Sequence, residues 1–305
     1  VTCVLVTGAS GFIGRHCLNA LAATPGLTLH ATSRKPVPQG QDGITWHQAD
    51  LLDAGDIHRL IARVQPTHLL HAAWEATPVS YSTSPENIRW LAAGRILLDA
   101  FGQNGGKRFL GIGTSAEYAP SDEPCHELRT LLAPSSIYGE AKVAMAEAAG
   151  TAATHYGFAA AWGRLFLPFG PGDPPQRLLP SVLASFRHKR VLKLSDGLQV
   201  RDFIYAPDAG QLLARLLLSG AEGPFNIGSG IGRTLRSVLE ALAGLNAGED
   251  LLAFGELARR PGEPPALVAE MTRYEAHIGP LSLTPFDAAL RSLEAPPSLQ
   301  DVGAR

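Results

Sequence analysis

The stretch VTGASGFIG, residues 6–14, limits what this chain can fold into more than any other. Gly8, Gly11 and Gly14 follow a β-rich run, CVLVTG (3–8), and open a helical one, FIGRHCLNALAAT (12–24). Glycine is needed where a chain turns tightly, where backbone comes close to a ligand, and where helix lies against strand. A helix starting there offers unsatisfied N–H groups and a partial positive charge to a pyrophosphate. A bare glycine triplet is a weak signal, met also at simple strand–helix turns. With the strand before it and the helix after it, dinucleotide binding through Gly8, Ser10, Gly11, Phe12, Ile13 and Gly14 is the better reading.

The rest of the first half repeats the alternation. LTLHATS (27–33), a run within GITWHQADL, THLLHAA (67–73), RFLGIGTS (108–115) and FAAAWGRLF (158–166) read as strands. Residues 54–64, 84–105 and the segment carrying Tyr138 read as helices. Strand and helix in repetition predict an α/β fold of the Rossmann type, a doubly wound parallel sheet with helices on both faces. From the Pro/Gly-rich LPFGPGDPPQ onward the texture changes, which predicts a smaller C-terminal α/β substrate-binding lobe. The boundaries read as 1–166, with about 201–230 returning to the sheet, for the cofactor domain, and 167–200 with 231–305 for the lobe.

Bulk properties exclude other classes. A formal charge of −2 over 305 residues, with no basic run, argues against a nucleic-acid binder. No apolar run is long enough to span a bilayer, and the opening residues read as a strand rather than a leader, so a cytoplasmic location is expected. Three cysteines without a CxxC, and histidines without an HExxH, predict neither a disulfide framework nor a metal site. His68 and His71 lie in an apolar run, where structural histidines outnumber ligands.

The second strand ends in Ser33, Arg34 and Lys35, without the carboxylate that holds an NAD ribose. A hydroxyl and two cations suit a 2′-phosphate, so NADP(H) is preferred to NAD; a solvated basic loop is the plainer alternative. Asp50 and Leu51 follow the third strand, in reach of an adenine edge. Ala72 and Ala73 complete the predicted cofactor set.

TGASGFIG, ADLLD, HAA, TSAEY, YGEAK, RDFIYAPDAG and FNIGSG occur in the order found in extended short-chain dehydrogenases/reductases. The chain most resembles their nucleotide-sugar branch of 4-ketoreductases, 4-epimerases and 4,6-dehydratases, from residue 3 to about 280. The resemblance implies that Tyr138 and Lys142 form the family's Tyr-x-x-x-Lys pair. It implies a catalytic hydroxyl at Ser115, or at Thr114 in the alternative register. Beside an ammonium and an oxidised nicotinamide, the Tyr138 phenol is expected to fall below its usual pKa of about 10.

The family's second lobe grips a nucleotide-diphosphate sugar, which implies Arg201 and Arg260 on the diphosphate, with Arg177 a further nucleotide contact and Thr114 and Glu117 near the sugar. Guanidinium suits phosphate through paired hydrogen bonds. The family's R-x-F-N run is here RLFLP, with Leu167 at the Asn position. Where dehydratases of the family carry Asp–Glu, this chain has Ala116–Glu117 in the Ser115 register and Ser115–Ala116 in the Thr114 register, so the acid for eliminating water is missing. NADPH-dependent 4-ketoreduction is therefore the leading expectation, a 4-epimerase the second, and a non-catalytic NADP-binding regulator the third. A homodimer through helices 84–105 and 138–156 is expected by analogy.

Overall fold

The structure, a computed structural model, describes residues 2–36, 43–75, 77, 80–259, 262–280 and 282–294. The strands in chain order are β1 (Thr2–Thr7), β2 (Leu27–Ser33), β3 (Ile44–Gln48), β4 (His68–His71), β5 (Arg108–Thr114) and β6 (Ala159–Leu165). They continue as β7 (Leu167–Phe169), β8 (Leu192–Leu194), β9 (Val200–Tyr205) and β10 (Gly223–Ile227). Seven of them form one sheet in the order β10-β6-β5-β4-β1-β2-β3. Every pair in it is parallel.

The helices that cover this sheet are α1 (Phe12–Ala22), α2 (Ala54–Val64), α3 (Glu86–Gln103) and α4 (Ile137–Tyr156), then α5 (Leu178–Arg187) in the lobe and α6 (Ala206–Leu218) back on the sheet. Side chains alternate along a strand, so adjacent residues serve opposite faces. Val4, Val6, Leu70 and Leu110 pack with Leu18 and Leu21 of α1 and Leu213 and Leu217 of α6. Their neighbours Leu5, Leu69 and Phe109 pack with Ile57 of α2, Leu97 and Phe101 of α3 and Met145 of α4. The predicted doubly wound sheet is what forms. Strand order reverses between β1 and β4, and that switch point leaves a crevice at their carboxyl ends.

The lobe has its own core, centred on Phe169, Leu183, Phe203, Val238 and Leu242. Helix α7 (Leu235–Asn246) belongs to it, with β11 (Gly232–Thr234), β12 (Leu252–Phe254) and β13 (Ala266–Leu267). Strand β9 pairs with β7, β11 and β13, not with the main sheet. The return to the main sheet thus begins at α6 and not at residue 201, because β9 finds its partners in the lobe. No described helix is long and apolar enough to cross a membrane.

Candidate active site

The glycine turn closes with Gly11 N–H donating to the Gly8 carbonyl at 2.9 Å. Gly8 has φ +66°, and a Cβ there would lie 2.6 Å from the Ala73 nitrogen. A Cβ on Gly14 would strike the Gly8 carbonyl, so strand, turn and helix pack backbone to backbone. Helix α1 starts at Gly11 without a side-chain cap and without an acidic residue in its first turn. Its first N–H groups are therefore left without a side-chain cap or a first-turn acid, which fits a dinucleotide pyrophosphate. The structure thus brings Gly8, Gly11, Gly14, Ala72 and Ala73 together, flanked by Ser10, Phe12 and Ile13 at the opening of α1.

At the end of β2, the buried Ser33 hydroxyl accepts the Lys35 N–H at 3.2 Å. Arg34 and Lys35 are exposed, and neither makes an ion pair among the described residues. Asp50 is exposed, with one oxygen accepting Leu52 N–H at 3.0 Å. The Leu51 side chain is buried in the core with Ile57 and Leu5.

Ser136 caps α4 by accepting the Gly139 N–H at 3.1 Å, which starts the helix just before Tyr138. Lys142 then follows one turn later on the same face. It is buried, with its ammonium donating to the Ile112 carbonyl at 2.8 Å and sitting 3.9 Å from the centre of the Trp74 ring. The centres of the Tyr138 and Trp162 rings are 5.8 and 6.0 Å away. Burial pushes Lys142 down to about 7, opposed by the charge of Glu117.

Tyr138 is partly exposed as a residue, while its hydroxyl is enclosed. That enclosure pushes the phenol above its ordinary value, helped by Tyr81 and Glu117 and opposed by a Thr114 hydrogen bond and Arg177. Tyr81 packs edge-on against it, ring centres 5.0 Å apart. Among the chain's own groups, desolvation of the phenolate outweighs the attraction of Arg177; the lowering expected from Lys142 together with an oxidised nicotinamide is a property of the site with cofactor bound. Of the two candidate hydroxyls, Thr114 is the one that acts on the Tyr138 phenol, favouring its ionised form; Ser115 is buried in the short turn that follows β5.

Glu117 requires another correction. It is fully buried, and it accepts Thr114 N–H at 2.8 Å, Trp162 Nε1–H at 3.0 Å and Arg164 Nε–H at 2.7 Å. With both oxygens committed, this carboxylate has no face for a sugar. Arg201 is similarly engaged, donating to Glu263 and to the Val200 carbonyl, both at 2.8 Å. Arg260 lies outside the described residues. Arg177 sits over the Phe12 ring at 5.4 Å, paired with buried Asp173 at 3.3 Å. Burial raises that Asp173 carboxyl to about 7, against the pull of Arg177. Asp202 accepts from Ser229, Gly230 and Ala269 backbone, as a residue that orients loops should.

Trp74, Tyr81 and Asp173 were missed by sequence reasoning. Only Trp74 carried a signal, following directly on His71-Ala72-Ala73. His71 is structural: its Nδ1 meets the Thr7 hydroxyl at 2.8 Å, and burial pushes it down to about 3. His126, Glu127 and Glu270 bring potential ligand atoms within 4.8 Å of one another. The His126 Nδ1 accepts Leu128 N–H at 3.1 Å, which leaves the ring proton on Nε2 and the ring unsuited to a cation. A cavity of about 600 Å³ lies beside this group, lined by residues of 119–131 and Glu270, and includes neither Tyr138 nor Lys142.

The profile of the NAD dependent epimerase/dehydratase family matches residues 4–228. The dTDP-glucose 4,6-dehydratase of Neisseria meningitidis serogroup B is 26% identical over 94% of this chain and 91% of its own length. The dTDP-4-dehydro-6-deoxyglucose reductase of Escherichia coli is 24% identical over 78% of this chain and 80% of its own. The UDP-glucose 4-epimerase of Thermus thermophilus, solved with NAD, superimposes with a TM-score of 0.81 at 26% identity, covering 95% of this chain and 97% of that one. Three different reactions thus stand at similar distance.

Proposed function

The chain belongs to the NAD dependent epimerase/dehydratase family, and from that premise we propose that it reduces the 4-keto group of a nucleotide-diphosphate (deoxy)sugar with NADPH. The observation that carries this choice is the end of β2, where Arg34 and Lys35 are exposed and the strand ends in Ser33 and not in a carboxylate.

When bound, the nicotinamide supplies the hydride. Tyr138 gives its proton to the C4 oxygen as negative charge develops there. Burial keeps the phenol protonated near neutral pH, the form from which it donates. Thr114 hydrogen-bonds the same oxygen and fixes its position, with Ser115 next to it in the turn. Lys142 orients the ribose with the N–H groups not spent on Ile112. Arg177 adds a cation facing the phenol. Dehydration lacks an acid at the family's positions in either register, because Ser115 and Ala116 have none and Glu117 is locked to Arg164. Arg201 and Arg260 are assigned to the diphosphate, Arg201 after exchanging Glu263 for phosphate. A homodimer through α3 and α4 is part of the same reading.

The 4-epimerase is the second reading, favoured by the likeness to the NAD-bound Thermus enzyme. Incubating the purified protein with 4-keto-6-deoxy nucleotide sugars and NADPH, and following the nicotinamide absorbance, decides between them. Stoichiometric NADPH consumption supports the reductase. Tightly co-purifying NAD with interconversion of C4 epimers would replace it by the epimerase, and no turnover at all by the regulator.

A further inference from the structure

We propose that Trp74 is a positioning residue whose indole face holds the Lys142 ammonium at the crevice and favours its charged form. The role it supports in turnover rests on the reaction assigned above; the contact itself does not.

Lys142 is 5% exposed, so its charge is largely cut off from water. Only one hydrogen bond is made to it by the described residues, from its Nζ to the Ile112 carbonyl at 2.8 Å. The indole of Trp74 covers another side, 3.9 Å from nitrogen to ring centre, well inside the range in which an aromatic face attracts a cation. The ring is itself fixed. Trp74 Nε1–H donates to Asn87 Oδ1 at 2.8 Å, and the Asn87 amide donates to the Tyr81 and Ser84 carbonyls at 2.6 and 2.9 Å. Asn87 is wholly buried, and Trp90 lies against the indole with ring centres 6.4 Å apart.

The titratable groups facing Lys142 do not replace this contact. Glu117, from the turn after β5, attracts it across space but directs its oxygens to Thr114, Trp162 and Arg164. His71, from β4, is held neutral by burial, and Tyr138, on the same helix, keeps its proton. With the Ile112 carbonyl, the indole is therefore a group that offsets desolvation of the ammonium at contact distance. Without it the neutral amine gains, and a neutral Lys142 holds ribose hydroxyls less firmly.

The chain has five lysines, so ¹³Cε-lysine NMR gives a spectrum simple enough to titrate, with Lys142→Arg for assignment. In the wild type, Lys142 should titrate near neutrality, apart from the other four. Trp74→Leu should move that titration down by about one pH unit, and Trp74→Phe, which keeps a face, by only a few tenths. If the leucine variant does not fold, Trp74→Met fills the space without a π face. An unmoved titration in a folded Leu or Met variant, or a Lys142 that titrates with the exposed lysines, overturns the proposal. In turnover, the alkaline limb of the kcat profile should move down by the same amount in Trp74→Leu, with recovery in Trp74→Phe. A wild type that turns over no sugar nucleotide defeats the assigned reaction and leaves the lysine titration to decide on Trp74.

Discussion

Replacing Glu117 by glutamine should destabilise the fold by about 3–5 kcal/mol, the usual cost of stripping one partner from a buried ion pair. The carboxylate is fully buried and its partner Arg164 is 4% exposed, so neither charge can turn to water. All the groups aimed at it are donors: Thr114 N–H, Trp162 Nε1–H and Arg164 Nε–H, at 2.8, 3.0 and 2.7 Å. Glutamine offers one acceptor oxygen and sets an NH₂ against those donors. Arg164 would keep only the neutral Tyr118 hydroxyl and Glu127 carbonyl, at 3.1 and 3.0 Å. At about 2 °C per kcal/mol for a chain of this size, scanning calorimetry should read a fall of about 6–10 °C. A control separates charge from packing. Glu117→Met with Arg164→Met removes both charges and should recover most of the loss, since well-packed apolar pairs often match buried ion pairs. A Glu117→Gln variant within about 1 °C of wild type would refute the view of Glu117 as a structural anion, and would return it to the substrate site.

Arg34→Ala should weaken NADPH by about tenfold or more while leaving NADH within about twofold, from loss of one charge-assisted bond to the 2′-phosphate; equal losses in a fluorescence titration would remove the cofactor assignment. Tyr138→Phe should lower kcat by about 10²–10⁴ with NADPH affinity unchanged, measured by turnover and direct binding side by side. His71 is held neutral down to about 3, whereas an unfolded histidine takes up its proton near its ordinary 6.5. Between those values the unfolded state binds more protons, so stability is full above the upper one and falls by up to about 1.4 kcal/mol per pH unit on the way down. His71→Asn should flatten that slope in urea titrations across the acid range; an unchanged slope would show that His71 is not what the acid attacks.

The glycine turn, the alternation of elements and the Tyr–Lys spacing were legible because each is a local pattern. One strand and one helix suffice to place Gly8 and Gly14, and one helical turn suffices to put Tyr138 and Lys142 on one face. What could not be read was which groups arrive from elsewhere. Glu117 looks like an accessible acid beside the catalytic hydroxyls, but Trp162 and Arg164 come from β6 to enclose it. Arg201 looks like a free guanidinium until Glu263 is folded against it. The same gap bears on the phenol. Four residues of spacing give a cation at close range, and Coulomb attraction alone then lowers a pKa. Only the fold shows that the cation is turned to Ile112 and Trp74, and that the hydroxyl is enclosed beside Tyr81. A site built this way raises the cost of phenolate, so the chain's own groups keep Tyr138 protonated, as an ordinary phenol already is near neutral pH. The enclosure therefore does not set the direction of the reaction, and the preference for ketone reduction rests on the basic loop at Arg34.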